Sequence, residues 1–247
     1  MALRDELERQ GGWLFRHRSF VPLVILPLFA FAGLQLEFIA GSHRVTEMWA
    51  VVCLMVTLLG LGVRIATVGR ALAGTSGRNT REQVADSLST TGMYSVVRNP
   101  LYLGNFLIWL GITMLLHSWW LTLCMTALYA LFYERIICAE EAFLRQKFGA
   151  DFERWAAATP TIIPRFSGWK ASAYPFEWRT VLRREYPGFF AITIAFALLT
   201  AVGDSLAAGE LRVDPAWVVL LVFGAVVFVT LRTLKRHTKV LHVEGRQ

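Results

Sequence analysis

Two short polar segments carry most of the residue types that could do chemistry. The first reads Thr-Gly-Met-Tyr-Ser-Val-Val-Arg-Asn-Pro-Leu-Tyr-Leu-Gly over residues 91–104 and leads into an apolar run. Its Arg98 guanidinium can bind a carboxylate or phosphate through two parallel hydrogen bonds. Pro100 suits the first turn of a helix, where its missing N–H leaves no hydrogen bond unmade. The segment predicts an anion-binding arginine at a helix N-terminus; alternatively, Gly92 and Pro100 form turns, and Arg98 and Asn99 are polar residues beside a membrane.

The second segment is acidic and follows an apolar run without a helix breaker. It reads Tyr-Glu-Arg-Ile-Ile-Cys-Ala-Glu-Glu-Ala-Phe-Leu-Arg-Gln-Lys-Phe-Gly over residues 133–149. Because a helix repeats every 3.6 residues, Glu134 and Glu141 share one face. Ionisable groups near an apolar region are costly and are often functional. Alternatively, Glu141 pairs with Arg145 one turn further along a solvated face; in either case Gly149 predicts the end of the helix.

Membrane helices must position these segments, because the composition excludes an ordinary soluble domain. The 247 residues are 55% hydrophobic and only 17% charged, with a mean hydropathy of +0.47, whereas a soluble domain has about 25% charged residues. About 20 apolar residues are needed to cross a bilayer. The sequence predicts an all-α polytopic membrane protein with about six transmembrane helices and a tight hairpin between the third and fourth. The six runs cover residues 20–40, 48–68, 101–116, 119–138, 189–208 and 216–231.

The distribution of basic residues predicts the orientation of these spans. The net charge is +7, and of the 25 Lys and Arg residues only Arg44 and Arg212 lie on the side opposite to the two termini. Positive residues are enriched in cytoplasmic loops. We therefore expect both termini in the cytoplasm, in a bacterial inner membrane, and we interpret the charge as a sign of topology and not of a nucleic-acid partner.

The chain divides into four predicted segments. Residues 1–19 form a cytosolic amphipathic N-terminus, and residues 20–68 hold the first two spans. The first of these is too long for the apolar core of a signal peptide, so we expect it to be retained. Residues 69–166 contain two cytosolic loops and spans three and four, and residues 167–247 contain a connector and the last two spans. Cys53, Cys124 and Cys138 lack metal-ligand spacing, so we expect packing thiols and no metal site.

The two polar segments together resemble a known family. The pattern consists of Gly92-x-Tyr94-x-x-x-Arg98-Asn99-Pro100-x-Tyr102-x-Gly104, then Glu140-Glu141-x-x-Leu144-x-x-x-Phe148-Gly149-x-x-Phe152-x-x-Trp155, and finally Pro160 and Pro164. It is similar to the isoprenylcysteine carboxyl methyltransferase and phospholipid methyltransferase superfamily over about residues 92–166. The family usually has histidine where this chain has Asn99. If that histidine only donates a hydrogen bond to the cofactor, the Asn99 amide can replace it; if it moves a proton, Asn99 cannot, because an amide does not become charged.

The resemblance implies an integral membrane enzyme that uses S-adenosylmethionine and a lipid substrate that enters from the bilayer. It implies that Arg98 and Glu141 lie closest to the reacting centre. The residues expected to bind the cofactor are Tyr94, Arg98, Asn99, Pro100, Tyr102, Gly104, Glu140 and Glu141. Carboxylates suit the sulfonium, ammonium and ribose hydroxyls of this cofactor, and an arginine suits its carboxylate.

Several substrates fit this interpretation. Candidates are a lipid phosphate, a prenylated carboxylate and a phospholipid amine, and clustered arginines slightly favour O-methylation of a phosphate or carboxylate. The residues expected to contact the substrate are Arg70, Arg78, Arg81, Glu134 and Arg135.

Two other functions stay open from the sequence. Residues 147–149, Lys-Phe-Gly, weakly resemble a motif of NADPH-dependent sterol reductases, although the adjacent glutamates fit the methyltransferase pattern better. A transporter or channel is disfavoured because charges gather at span ends and not at span centres. The sequence does not determine the oligomeric state.

Overall fold

The computed structural model describes residues 3–17, 25–33, 35–71 and 85–246. Within these ranges the protein is all-α and has no β-strand. The helices are α1 (Leu3–His17), α2 (Leu26–Gly33), α3 (His43–Val68), α4 (Pro100–Met114), α5 (Trp119–Phe148), α6 (Ala150–Ala158), α7 (Trp178–Ala208) and α8 (Pro215–His237). Short 3₁₀ turns cover Ile39–Gly41, Gly92–Ser95 and Phe166–Gly168.

Four helices, α3, α5, α7 and α8, are long and apolar enough to cross a membrane, and α4 is a shorter apolar helix. Large apolar side chains along these helices point outwards, including Val219, Phe223 and Val226 on α8. An apolar exterior of this kind is expected where the surrounding medium is lipid. The fold is therefore that of a polytopic membrane protein.

The first predicted span is wrong as a continuous helix. Of residues 20–40, α2 forms an eight-residue helix, while residues 35–38 are not helical and Ala40 has φ 52°; residues 20–24 lie outside the described part. A hydropathy window counts apolar side chains but misses the backbone turn at Ala40 and Gly41, both of which have positive φ. Residues 85–88, which precede the first polar segment, are not helical.

Two later helices extend beyond their predicted spans. Helix α7 begins at Trp178 and passes through Pro187, and α8 continues to His237. Helix α5 runs for 30 residues from the apolar run through the acidic segment, and it ends before Gly149, which has φ 50°. The uninterrupted helix expected for residues 133–148 is thus confirmed.

Contacts along the helices define their relative directions. Helices α3 and α4 are antiparallel, because Gly60 lies against Gly104 while Trp49 Nε1 donates to Met114 O at 2.8 Å. Helices α3 and α7 are also antiparallel, because Arg64 pairs with Glu185 while His43 meets Asp204.

Helix α5 returns beside α4, with Phe106 against Tyr129 and Tyr102 against Tyr133. The bundle therefore has two ends. We call the end with Arg98, Glu141 and Arg64 the Arg98 end, and the end with His43, Glu47 and Asp204 the Asp204 end.

Candidate active site

Arg98 joins the two polar segments. Its Nη1 lies 2.8 Å from Glu141 Oε1, so the end of the first segment meets the acidic face of α5. Its Nη2 donates to Thr161 Oγ1, and its backbone N–H donates to Pro160 O at 2.8 Å. The alternative pairing of Glu141 with Arg145 is wrong, because Arg145 instead contacts Glu153 on α6.

One hydrogen-bond donor of Arg98, its Nε–H, has no partner at this site within the described residues. Arg98 Nε is buried and has no acceptor among the residues that the structure describes. Buried donors are almost always paired, so an unpaired guanidinium N–H marks a place for an anionic or carbonyl oxygen of a ligand. The side chain therefore fits the carboxylate of an amino-acid-like cofactor.

Asn99 holds the chain that follows α6. Its Nδ2 donates to Thr161 O at 3.2 Å. An amide can make this hydrogen bond at any pH, whereas it cannot take up or release a proton. Asn99 therefore positions residue 161 beside Arg98 but cannot act as a general base.

The segment after α6, residues 159–173, lies along the turn that precedes α4; we call it the strap. Arg165 N–H donates to Val96 O at 2.9 Å, and Gly92 N–H donates to Lys170 O at 2.9 Å. At the end of α6 itself, Trp155 Nε1 donates to Tyr94 O at 2.9 Å. The strap and Trp155 thus fix the backbone from Gly92 to Arg98, which explains why Trp155 and Pro160 belong to the same sequence pattern.

Tyr102 and Glu140 form a second contact between the two segments. Tyr102 O–H donates to Glu140 Oε1 at 2.7 Å, across the α4–α5 contact. The Tyr102 ring packs on Tyr133 at 4.6 Å, and Tyr129 O–H donates to Tyr102 O at 2.7 Å. These contacts orient one Glu140 oxygen and place both adjacent carboxylates of α5 at the Arg98 end.

Tyr94 stays protonated in this environment. Burial, together with the negative charge of Glu140, raises the pKa of Tyr94 to about 12, and the positive charge of Arg184 partly opposes this shift. A neutral phenol can donate a hydrogen bond to a ligand, whereas a phenolate could not. Tyr94 is therefore suited to a donor role and not to that of a base.

Gly104 has a packing reason to be glycine. A Cβ at this position would lie 2.6 Å from Arg64 Cγ and 2.8 Å from Gly60 O. The close approach of α3 and α4 allows Arg64 to reach across the bundle. The role of Gly104 in cofactor binding stays a prediction. The same holds for Pro100, which begins α4 as expected.

The sequence did not indicate the Arg64 network. Arg64 Nε and Nη2 donate to the two Glu185 oxygens at 2.8 and 2.9 Å, and Nη1 donates to Asn105 Oδ1 at 2.6 Å. Glu185 is only 4% exposed. The only available signal was the presence of charged residues beside predicted spans, which does not reveal their partners.

The residues expected to contact substrate do not gather in one place. Arg70 lies over the Phe176 ring at 5.1 Å, near the N-terminus of α7. Arg135 Nε instead donates to Gln10 Oε1 of α1 at 2.8 Å, and Glu134 is exposed beside it. Arg78 and Arg81 lie outside the described residues.

Comparisons with known proteins match the part of the chain that holds both polar segments. The family model described as phospholipid methyltransferase matches residues 48–151, which include both polar segments. The chain is 36% identical to the cobalt-zinc-cadmium resistance protein CzcN of Cupriavidus metallidurans over 158 residues, covering 63% of this chain and 68% of that protein. It is 38% identical over 77 residues to the protein-S-isoprenylcysteine O-methyltransferase of Schizosaccharomyces pombe, covering 31% and 33% of the two chains.

The chain belongs to the isoprenylcysteine carboxyl methyltransferase and phospholipid methyltransferase superfamily. It is therefore a membrane methyltransferase by family, which favours this activity over the reductase and transporter alternatives. The nickel-cobalt-cadmium resistance protein NccN of Alcaligenes xylosoxydans xylosoxydans is a further relative, 33% identical over 158 residues that cover 63% of this chain and 68% of that protein. No solved structure matches the chain significantly.

Proposed function

We propose that this membrane methyltransferase uses S-adenosylmethionine to methylate the headgroup of a membrane lipid. The observation that carries the proposal is the contact between Arg98 and Glu141, which joins the two family segments and leaves Arg98 Nε available. When bound, the cofactor supplies a methyl group that is attached to a positively charged sulfur. The methyl group passes to the substrate, and the sulfur remains in a neutral thioether, which is the leaving group. Arg98 binds the cofactor carboxylate, and Glu141 holds the guanidinium in place and offsets its charge.

The other predicted residues complete this pocket in the proposal. Glu140, oriented by Tyr102, accepts hydrogen bonds from the cofactor ammonium or ribose. Tyr94, Asn99, Pro100 and Gly104 shape its wall and hold the strap in position. Holding the two reactants in line supplies much of the acceleration, because displacement at a sulfonium needs orientation more than strong acid catalysis.

The missing imidazole favours an anionic oxygen as the nucleophile. A phosphate or carboxylate is already ionised at neutral pH, whereas an ammonium must lose a proton before it can attack. Asn99 cannot accept that proton. We therefore propose O-methylation of a lipid phosphate or carboxylate, with the anion attracted by Arg70, Arg78 and Arg81; a phospholipid amine or a prenylcysteine is the alternative substrate.

Exposed apolar residues on the strap support a lipid substrate. Ile163 is 80% exposed, Phe166 71% and Trp169 50%, and all three follow Arg98-bound Thr161 in the chain. Side chains of this type insert into the interface between headgroups and acyl chains. A strap seated at that depth brings lipid headgroups to the Arg98 end. We propose that this end faces the cytoplasm of a bacterial inner membrane, where S-adenosylmethionine is made.

The function is tested with the purified chain in nanodiscs of host polar lipid and methyl-labelled S-adenosylmethionine. We expect label in the lipid fraction, in a product that is one methylene heavier and carries one negative charge less by mass spectrometry. We expect Glu141→Gln to lower labelling about 100-fold, while the matched surface variant Glu153→Gln labels lipid as the parent does. Absence of label in every lipid extract, together with absence of cofactor binding, would contradict the proposal; label in an amine headgroup would instead correct the substrate.

A further inference from the structure

The Asp204 end contains a cluster of three side chains with metal-ligating atoms. His43 and Glu47 are one turn apart at the start of α3, so both side chains lie on one face. Asp204 comes from the last turns of α7. His43 Nε2 lies 3.2 Å from Asp204 Oδ2 and 3.8 Å from Glu47 Oε1, and one ligand atom of each residue lies within 4.8 Å of the others.

These separations match those of ligands around one small cation. Ligands at about 2.0–2.1 Å from a tetrahedral zinc ion are roughly 3.3 Å apart. The His43–Asp204 separation is already close to that value, and the His43–Glu47 separation exceeds it by an amount that a rotation of the Glu47 side chain can remove. The three ligand atoms therefore have spacings close to those that a single ion requires.

The charge of the cluster also calls for a cation. Two carboxylates share one imidazole, and Asp204 is only 4% exposed. Buried carboxylates are costly unless a positive charge compensates them. The two arginines at this end do not supply it within the described chain, because Arg44 is exposed and the Arg212 guanidinium lies over the Phe38 ring at 6.0 Å.

A tryptophan on a third helix holds Glu47 in place. Trp217 Nε1 donates to the Glu47 oxygens at 3.2 and 3.4 Å, from a Trp217 side chain that is buried at the start of α8. Donors that orient a carboxylate in this way are a regular feature of metal sites. Three helices thus contribute to the cluster.

A second histidine independently points to a ligand here. Glu47, Asp204 and His117 line one cavity of about 20 Å³, which is enough for a single ion or water molecule. Both ring nitrogens of His117 are buried and have no hydrogen-bond partner within the described residues. Neither nitrogen makes a well-formed hydrogen bond, although the Glu37 backbone lies near one of them, so at least one nitrogen is available to an occupant of the cavity.

We propose that His43, Glu47 and Asp204 bind one divalent transition-metal cation, with His117 contacting the ion or its bound water. A mixed set of imidazole and carboxylate ligands favours Zn²⁺ and its neighbours over Mg²⁺ and Ca²⁺, which prefer oxygen ligands only. The site links α3 to α7 at the end of the bundle opposite to Arg98. It is therefore separate from the proposed site of methyl transfer.

Metal titration of the purified full-length protein tests this site. The protein is stripped with a chelator and titrated with Zn²⁺ by calorimetry, with millimolar Mg²⁺ present as a competitor. We expect one Zn²⁺ per chain, and we expect Asp204→Asn and His43→Gln each to weaken binding at least tenfold. Glu210→Gln removes an exposed carboxylate from the same end and leaves the affinity unchanged. Equal affinities in Asp204→Asn and Glu210→Gln, or no saturable binding by the parent chain, would overturn the proposal.

A measurement on the parent chain alone covers the case in which the variants do not fold. Diethyl pyrocarbonate modifies accessible imidazoles, and mass spectrometry locates each product. We expect Zn²⁺ to slow the modification of His43 at least tenfold, while the exposed His237 and His242 react at unchanged rates. If His43 reacts equally fast with and without Zn²⁺, the cluster is a hydrogen-bonded network and not a metal site.

Discussion

The two ends of the bundle treat buried carboxylates in opposite ways. At the Arg98 end, Glu185 and Glu141 each meet a guanidinium, from Arg64 and Arg98 respectively. At the Asp204 end, two carboxylates share a single imidazole, His43. The first arrangement balances its charge within the protein, whereas the second has an excess of negative charge that favours binding of a cation.

The two ion pairs at the Arg98 end also differ from each other. Arg64 uses all three guanidinium nitrogens, two on Glu185 and one on Asn105. Arg98 Nε, in contrast, has no acceptor within the described residues. A guanidinium whose three nitrogens all have partners stabilises the fold, while one with a buried nitrogen that lacks a partner can also bind a ligand. We therefore assign a structural role to Arg64 and a binding role to Arg98.

The largest effect is expected from breaking the Arg64–Glu185 ion pair. Arg64→Ala leaves Glu185 buried without its cation, which costs about 3–5 kcal/mol of stability. The measurement is the unfolding midpoint in mixed detergent micelles. Arg154→Ala is the control, because Arg154 and its partner Asp151 are 79% and 70% exposed and such a pair contributes about 1 kcal/mol or less. Equal shifts for the two variants would show that the Arg64 network is not structural.

Breaking the Arg98–Glu141 ion pair should affect activity more than stability. Glu141→Gln removes the carboxylate that holds Arg98, and we expect a loss of about 100-fold in methyl transfer, which is typical for one positioned charged group. Initial rates with labelled S-adenosylmethionine measure this change, and Glu153→Gln is the control at an exposed position. Unchanged turnover by Glu141→Gln would remove the distinction between the two ion pairs.

A smaller effect is expected where α3 and α4 bring Arg64 into reach. A Cβ at Gly60 would lie 2.5 Å from Gly104 O and 2.8 Å from Ile108 N. Since these atoms belong to the backbone, Gly60→Ala must push the helices apart, at a cost of about 1–3 kcal/mol. Gly62, on the same helix, has nothing within 4 Å of its Cβ position. Gly62→Ala should be neutral or slightly stabilising through helix propensity, and destabilisation by both variants alike would argue against a specific close approach.

The smallest effect concerns the pH dependence of stability at the Arg98 end. Because the pKa of Tyr94 is raised to about 12, the folded chain holds this proton over a range in which the unfolded chain, with a pKa of about 10, releases it. The contribution of this proton to the stability of the folded chain is complete below about pH 10 and is lost as the pH rises through 12. Tyr94→Phe should remove this part of the alkaline slope in unfolding midpoints measured from pH 9 to 12. Parallel slopes for the parent and the variant would show that Tyr94 does not titrate differently in the folded state.

Local features of the fold could be predicted from the sequence, and features that depend on distant partners could not. The 30-residue helix α5 follows from the lack of a breaker before Gly149, and the start of α4 follows from Pro100. Helix α7 begins at Trp178, well before its apolar run, and its first turns carry four charged residues. Their placement depends on partners such as Arg64, which hydropathy does not reveal.

The same division applies to the candidate site. The resemblance to a known family implied that Arg98 and Glu141 belong to one site, and the structure brings them together. Thr161, which is part of the strap, binds Arg98 and Asn99 through its hydroxyl and its backbone carbonyl. The residue type at this position does not predict these contacts. The His43, Glu47 and Asp204 cluster combines residues far apart in the chain, so only the antiparallel packing of α3 and α7 reveals it.

The most direct test of the central claim is equilibrium binding of S-adenosylmethionine to the purified chain and to two arginine variants. In our proposal, the Arg98 end binds S-adenosylmethionine through Arg98, whose Nε has no acceptor within the described residues. We predict that Arg98→Ala weakens binding at least tenfold and that Arg154→Ala binds as the parent does. Binding of equal strength by the parent and Arg98→Ala would contradict the account.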